Sequence, residues 1–418
     1  MSSSKPMRLR FQITGISITE TVINSGYRMV YPFLPFFAQG LGVDLAKISL
    51  AIAARSSLGM AGPLFGAVGD LWGRRKGAVL GCVVFSAGLA VVAIWPTYLS
   101  LFLGLLLVGA GRLIFMASVQ AYLGDEVHYQ RRGLAVAITE FGWSWAYLLG
   151  MPVVGWLIAR AGWVSPFPLL GLLGLAGALG IWRLMGQGSP RAETAPPLAQ
   201  GIRMIFSYRP AVAGLALGVL VLAANESVGI VYGAWMEQSF GLQVATLGAA
   251  TALIGLGEWG GEGMVALFSD RLGKRRAVGI GLALNTAACL LIAALGGTVI
   301  GAIGALLLFY ISFEFTTVTC ISIMTELVPE ARATLLAGFM AAASGGRAVG
   351  ALLGPALFAR GIMSNGAVSA ALDLIALVVL LFYVREGPMQ GRGMRTQPPV
   401  AEPPRKETSG ARISAWLR

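Results

Sequence analysis

Twelve apolar runs, each close to the length of a membrane-crossing helix of about 20 residues, follow one another along this chain with short polar stretches between them. They cover residues 11–38, 46–69, 77–96, 98–123, 133–159, 166–186, 210–237, 245–269, 276–297, 299–325, 332–359 and 365–385. A soluble globule cannot carry this pattern. Only 12% of the residues are charged, where a water-facing domain has roughly 25%, and the mean hydropathy is +0.75. In lipid each backbone group must find its partner within the structure, so the runs are read as helices and the fold as all-α integral membrane. The 57 glycines, a burden for soluble helices, suit membrane helices that pack closely.

The loops set the orientation. Twenty-four Lys and Arg collect on one side, among them Lys5, Arg8, Arg10, Arg74, Arg75, Lys76, Arg131, Arg132, Arg271, Lys274, Arg275 and Arg276, against Lys47, Arg160 and Arg360 on the other. Basic loops stay in the cytoplasm, so both termini are expected there, in a multi-pass protein of the cell's inner (plasma) membrane with an even number of spans. The net charge of +12 is then a topology signal that meets membrane lipids, and it forms no single face for nucleic acid. The first apolar run lacks a small-residue cleavage site and is too long for a secretory signal, so it reads as a retained span. Cys82, Cys289 and Cys320 each sit inside an apolar run, where neither a disulfide framework nor a spaced metal site is built. No metal and no cofactor is expected. The chain has no G-x-x-x-x-G-K-[ST] loop, so ATP does not drive it.

A shift of 200 residues superposes Asp70 on Asp270, Gly73 on Gly273, Arg75 on Arg275, Gly81 on Gly281, Glu126 on Glu326, Arg132 on Arg332 and Arg160 on Arg360. The chain thus reads as two parallel copies: an N-terminal six-helix bundle over 1–186, a cytoplasmic linker over 187–209 and a C-terminal six-helix bundle over 210–385. The linker contains a short amphipathic stretch at 198–208. Residues 386–418 form a Pro-, Gly- and Arg-rich tail whose composition predicts disorder. Two parallel copies related along the membrane normal put a substrate site near the midplane between them.

The segment Gly66-Ala-Val-Gly69-Asp70-Leu-Trp-Gly73-Arg74-Arg75-Lys76, after the second run, resembles the G-x-x-x-D-x-x-G-R-R-K signature of the major facilitator superfamily. A shorter copy, Ser269-Asp270-Arg271-Leu272-Gly273-Lys274-Arg275-Arg276, stands where that family repeats it. The resemblance extends over nearly the whole chain. It implies a secondary transporter, able to work as a monomer, whose halves rock about a central site under the control of Gly66, Asp70, Gly73, Arg74, Arg75, Asp270 and Arg275. In span five, Gly150-Met-Pro152-Val-Val-Gly155 resembles a degenerate form of the G-x-x-x-G-P-x-x-G-G motif of antiporters, with Trp156 replacing the last glycine. Its plainer meaning is a Pro-kinked packing helix. Arg112, 13 residues before Asp125, does not stand where that family's span-four arginine is expected.

An ionisable side chain at a helix centre costs about 2.5 to 3.5 kcal/mol on insertion scales, so each one kept there needs a partner or a watery cavity. In the resembled fold, spans one, four, seven and ten line that cavity, and here each carries such a residue. Glu20, Asn24, Tyr27, Arg28 and Tyr31 form one polar stripe at helical spacing. Arg112, Glu226 with Tyr232, Glu314 and Glu258 complete the candidates for binding substrate and protons; Glu262 follows Glu258 at i+4, and two neighbouring carboxylates have the electrostatics of a proton carrier. Arg55, Glu140, Glu262 and Asp373 are read first as structural charges. Pairings such as Arg112 with Glu140 or Arg347 with Glu258 would hold helices together without any transport role. Trp143, Trp145, Trp235 and Trp259 could stack on a substrate or anchor at the interface. His128, the only histidine, lies in a loop, which excludes a histidine relay.

These residues predict proton-coupled efflux, by antiport, of a small amphipathic or cationic compound. Uptake of an organic anion or zwitterion with Arg28 and Arg112 as ligands, lipid or lysolipid translocation, and a non-transporting membrane sensor are the alternatives. An enzyme is not expected, since one loop histidine and no metal-like cluster supply no nucleophile–base pair.

Overall fold

The structure, a computed structural model, describes residues 4–127, 138–139, 141–186 and 198–384. The helices belong to one compact unit, Met1–Pro388. His128, Arg131, Arg132, Glu140, the linker up to residue 197 and the tail from 385 lie outside the described residues.

Among the described residues all regular structure is helical. Span one is Ser4–Arg28 continued by Leu34–Leu41, span two Leu45–Ser57 with Gly62–Trp72, span three Arg74–Ile94 and span four Tyr98–Glu126. Span five is described over Phe141–Ala161 and span six is Pro166–Leu184. A short amphipathic helix, Leu198–Ser207, sits at the sequence-predicted stretch. Span seven is Arg209–Gly229 with Tyr232–Phe240, span eight Val244–Met264, span nine Lys274–Leu295, span ten Val299–Leu327, span eleven Arg332–Phe358 and span twelve Ile362–Tyr383.

Among the described residues ten helices are long and apolar enough to cross a membrane. The remaining two of the fold, spans one and eight, carry Glu20 with Arg28 and Glu258 with Glu262. Their polarity is compensated inside the protein, as the site below makes clear.

Backbone geometry repeats with the sequence. The positive-φ glycines fall in pairs about 200 residues apart: Gly42 and Gly241 (both φ 64°), Gly73 and Gly273 (φ 90° and 79°), Gly162 and Gly361 (φ 82° and 95°). Gly73 and Gly273 each turn the chain from the end of an even span into the next one, a conformation that a Cβ would strain. The helix starts match too: Thr97 caps span four by accepting from Ser100 N, and Thr298 caps span ten by accepting from Gly301 N.

The two halves meet through span two on span eleven and span five on span eight. Spans one and seven are each broken, after Arg28 and after Gly229, and the breaks face each other. A Cβ on Gly233 would collide with the Pro32 carbonyl oxygen, so only glycine allows this approach. Beyond the breaks, Gln39 Nε2 donates to Glu237 Oε1 at 3.4 Å. Gly155 and Gly248 also approach across the halves, where a Cβ on either would come within 3.2 or 3.3 Å of the other's Cα. These contacts lie on the side remote from the basic loops.

Candidate functional site

Span one presents its predicted stripe inward. Glu20, Asn24, Tyr27, Arg28 and Tyr31 are all buried, and each helical turn hands one of them to a different neighbour. Glu20 packs its stem against span five at Gly142. Asn24 Oδ1 accepts from Arg112 Nε of span four at 2.8 Å. Arg55 of span two donates to the Tyr27 carbonyl and, at 3.1 Å, to the Tyr31 hydroxyl.

Arg28 crosses to the other half. Its guanidinium forms a two-pronged ion pair with Glu258 of span eight, one bond being Nη1 to Oε2 at 2.8 Å. Nη1 also donates to the Trp143 carbonyl at 2.9 Å. The guanidinium carbon lies 3.3 Å from the Tyr147 ring centroid and 4.0 Å from that of Trp143. The side chains of the pair are 4% and 2% exposed. A buried ion pair is tolerable only with good geometry and with its remaining donors satisfied, and two aromatic faces plus a carbonyl meet that condition. This is why spans one and eight can be less apolar than the rest.

The expected pairing of Arg347 with Glu258 is therefore corrected. Arg347 of span eleven stands 3.7 Å from Glu226 Oε2 of span seven, within the second half, because Glu258 faces span one. The counterpart expectation, Arg112 with Glu140, falls on a residue outside the description. Glu226 and Tyr232 do not form one patch: the break after Gly229 separates them, and the Tyr232 hydroxyl meets Thr251 Oγ1 at 3.1 Å. Glu258 and Glu262 also part company, Glu262 accepting from Ser144 Oγ at 3.2 Å. Trp259 packs edge-on against Phe141 and at a tilt against Trp145. Glu314 of span ten is buried against span eight at Gly261. Asp373, on span twelve, is buried beside Cys289. Among the described residues no group of His, Cys, Asp and Glu could hold a metal ion.

Three contributors were not singled out from sequence. Tyr147 reads as one more apolar residue of span five, and Arg347 and Arg55 were read as structural charges. Yet Arg28, Arg112 and Arg347 all approach Trp143, with guanidinium carbons 4.0, 5.0 and 5.7 Å from its ring centroid. The i, i+4 spacing of Trp143 and Tyr147 on span five was the available signal. Tyr147 itself lies in a π-helical turn, Ala146–Gly150, that leads into Pro152. It is here that the antiporter-like segment falls, with Gly150 against Ser25 of span one.

The gating candidates sit at the basic rim. Arg74 pairs with Asp70 and, through Nε at 3.1 Å, with Asp125, tying the loop after span two to span four. The Arg75 guanidinium stacks 4.2 Å from the Trp182 ring of span six. Gly66 lies on the last helix of span two. In the second copy Lys274 pairs with Glu326 and Arg275 donates to the Leu381 carbonyl at 2.6 Å, while Asp270 is exposed.

The sequence pattern of the Major Facilitator Superfamily matches residues 16–225 and 214–416. An MFS-type transporter of Bacillus subtilis (strain 168), YwfA, is 22% identical over 389 residues, covering 90% of this chain and 94% of that one. A multi-drug resistance efflux pump PmrA homolog of Lactococcus lactis is 23% identical over 270 residues, 62% of this chain and 66% of that one. The crystal structure of a D-xylose-proton symporter superposes with a TM-score of 0.74 at 16% identity, over 90% of this chain and 98% of that one. A family match over both parts of the chain and, among the described residues, an all-helical fold with ten helices long and apolar enough to cross a membrane agree: this chain is a transporter of the Major Facilitator Superfamily.

Proposed function

We propose that the protein is a proton-coupled secondary transporter working by alternating access, exporting a small amphipathic solute in exchange for protons. The observation that carries this reading is the buried Arg28–Glu258 pair joining the two halves. A proton on Glu258 removes one of the two charges. Arg28 then keeps the Trp143 carbonyl and the two aromatic faces but loses its ion pair with the second half, so protonation and the loosening of the halves become one event. Glu226 and Glu314, buried on spans seven and ten, are further proton acceptors close to the same layer.

Export is favoured over uptake by the Gly150–Pro152 segment at the interface of the halves and by the efflux-pump relative. The amphipathic part of the sequence expectation gains support over the cationic part, because Glu258 and Glu226 already face arginines. We place the basic rim and both termini on the cytoplasmic side of the inner membrane, with a single chain as the working unit. The halves then touch on the outer side in this conformation.

The test is internal pH in proteoliposomes with an imposed acid-inside gradient, challenged with pooled cations, anions, zwitterions and lysolipids. Proton efflux should follow one pool and vanish in Glu258→Gln. Undiminished proton efflux in Glu226→Gln, Glu258→Gln and Glu314→Gln alike would overturn the coupling.

A further inference from the structure

We infer that the helix Leu198–Ser207 anchors the second half to the membrane surface. Its Ile202–Phe206 face lies in the acyl boundary of the leaflet at the basic rim, and Arg203, Arg209 and Arg332 meet anionic phospholipid headgroups there. The inference goes beyond transport and needs only that the chain sits in a bilayer.

It starts from how the helix divides its faces. At about 100° per residue, the described side chains fall into three sectors. Protein covers the first: Ile205 is 3% exposed, and Gly201 lies so close to span eleven that a Cβ would meet Thr334 Oγ1 at 2.7 Å. The helix packs on span seven and on the turn Pro329–Ala331 as well. Next around the helix come Ile202 and Phe206, one turn apart and 44% and 68% exposed. The third sector, Gln200, Arg203 and Ser207, is polar and exposed, and half-buried Met204 closes the circle. A helix that uses its apolar stripe only to dock on its own protein ends the stripe where that contact ends. Here the stripe runs on past the contact. Protein, then apolar, then polar is the order required of a helix lying along the flank of a membrane protein at the boundary of lipid and water.

Its place in the chain sets it at that depth. Only Tyr208, with φ −113° and ψ 103°, separates the helix from span seven, and this extended residue turns the chain between them. Val212, in the first turn of span seven, is already exposed on the apolar surface. The charges match a leaflet of negative sign. Arg209 and Arg332 open spans seven and eleven and are exposed like Arg203, while the neighbouring turn carries one exposed acid, Glu330. A basic side chain near an anionic bilayer adds about fivefold to partitioning. Because the helix packs on spans seven and eleven, lipid that holds it holds the second half.

The experiment is spin-label accessibility on the full-length protein in nanodiscs, without substrate or gradient. Labels are placed in turn at Ile202→Cys and Phe206→Cys, and at Gln200→Cys and Ser207→Cys on the polar face. The buried Cys82, Cys289 and Cys320 stay in place. Oxygen, which concentrates in lipid, should relax the labels at 202 and 206 several-fold more, relative to a water-soluble nickel chelate, than those at 200 and 207. Two positions on each face keep the result independent of any one variant that misfolds. Exchanging part of the phosphatidylcholine for phosphatidylglycerol should immerse the label at 206 further, and Arg203→Gln should lower its immersed-to-exposed ratio by about fivefold. Equal nickel access on both faces would put Ile202 and Phe206 in water and overturn the anchor. Exclusion of both oxygen and nickel at 202 and 206 would overturn it too, since protein would then cover them. Oxygen access indifferent to phosphatidylglycerol and to Arg203→Gln would overturn the headgroup assignment. Failure of any of these leaves proton coupling standing, and failed coupling leaves the anchor standing.

Discussion

Arg28 with Glu258, and Arg74 with Asp70 and Asp125, use the same chemistry in two regions of the molecule for opposite ends. The first pair spans the two halves and is almost completely buried. The second cluster stays inside the first half at its rim, with the Asp70 side chain 63% exposed. Water and salt screen its Asp70 end, while Arg74 and Asp125 are only 11% and 16% exposed, so it is the Arg74–Asp70 contact that can exchange at little cost. At the centre both charges are shielded from water, so breaking the pair leaves each of them buried and the pair behaves as a unit that is either intact or absent. A transporter needs both kinds: a soft contact where loops slide, and a stiff one where the state is decided.

That contrast predicts an order of effects. The largest belongs to Arg28→Met, which strands Glu258 and should cost about 3–5 kcal/mol of stability, read as a lowered thermal midpoint in detergent. The double variant Arg28→Met, Glu258→Leu should recover most of that loss yet transport nothing, and a double variant that transports normally would remove the pair from the mechanism. Next comes Gly233→Ala, where the new Cβ meets the Pro32 carbonyl and overpacking should cost about 1–3 kcal/mol. Gly62→Ala is its control, because nothing lies within 4 Å of the added atom, and it should stay within about 0.5 kcal/mol of wild type.

Effects at the rim should be smaller and salt-dependent. Arg74→Gln should lower stability by about 1 kcal/mol at low ionic strength and less at high, measured by thermal unfolding in parallel buffers. Lys274→Gln, whose partner Glu326 is 60% exposed, should change stability by less than about 0.5 kcal/mol. An equal and salt-independent loss in both variants would show that rim and centre are not different in kind.

Much of this was legible in the residues. Apolar length gave the spans, and the 200-residue repeat anticipated the paired turns at Gly73 and Gly273. Helical spacing put Glu20, Asn24, Tyr27, Arg28 and Tyr31 on one inward stripe, and all five are buried. Partner choice was not legible. Periodicity says which face of span eight holds Glu258, but whether span one or span eleven crosses that face depends on how the halves dock. Glu226 and Tyr232 were assigned to one patch on the assumption of a continuous span seven, and the break after Gly229 carries no proline to announce it. Span one has Pro32 and Pro35 at its own break, a signal that could have been transferred through the repeat. Arg55 was read as a structural charge because a lone arginine in an apolar run looks like half of a pair. The packing shows that its hydrogen bonds go to the Tyr27 carbonyl and the Tyr31 hydroxyl.

The central claim is that a proton on Glu258 and the rocking of the halves are one event. It can be measured directly with spin labels at Leu71→Cys and Leu267→Cys, exposed positions on the basic rim of each half, leaving the buried Cys82, Cys289 and Cys320 in place. Distance distributions would be compared between wild type and Glu258→Gln at neutral and acidic pH. The account predicts that Glu258→Gln at neutral pH already shows the redistribution that wild type reaches only on acidification. Superimposable distributions in the two proteins at both pH values would contradict it.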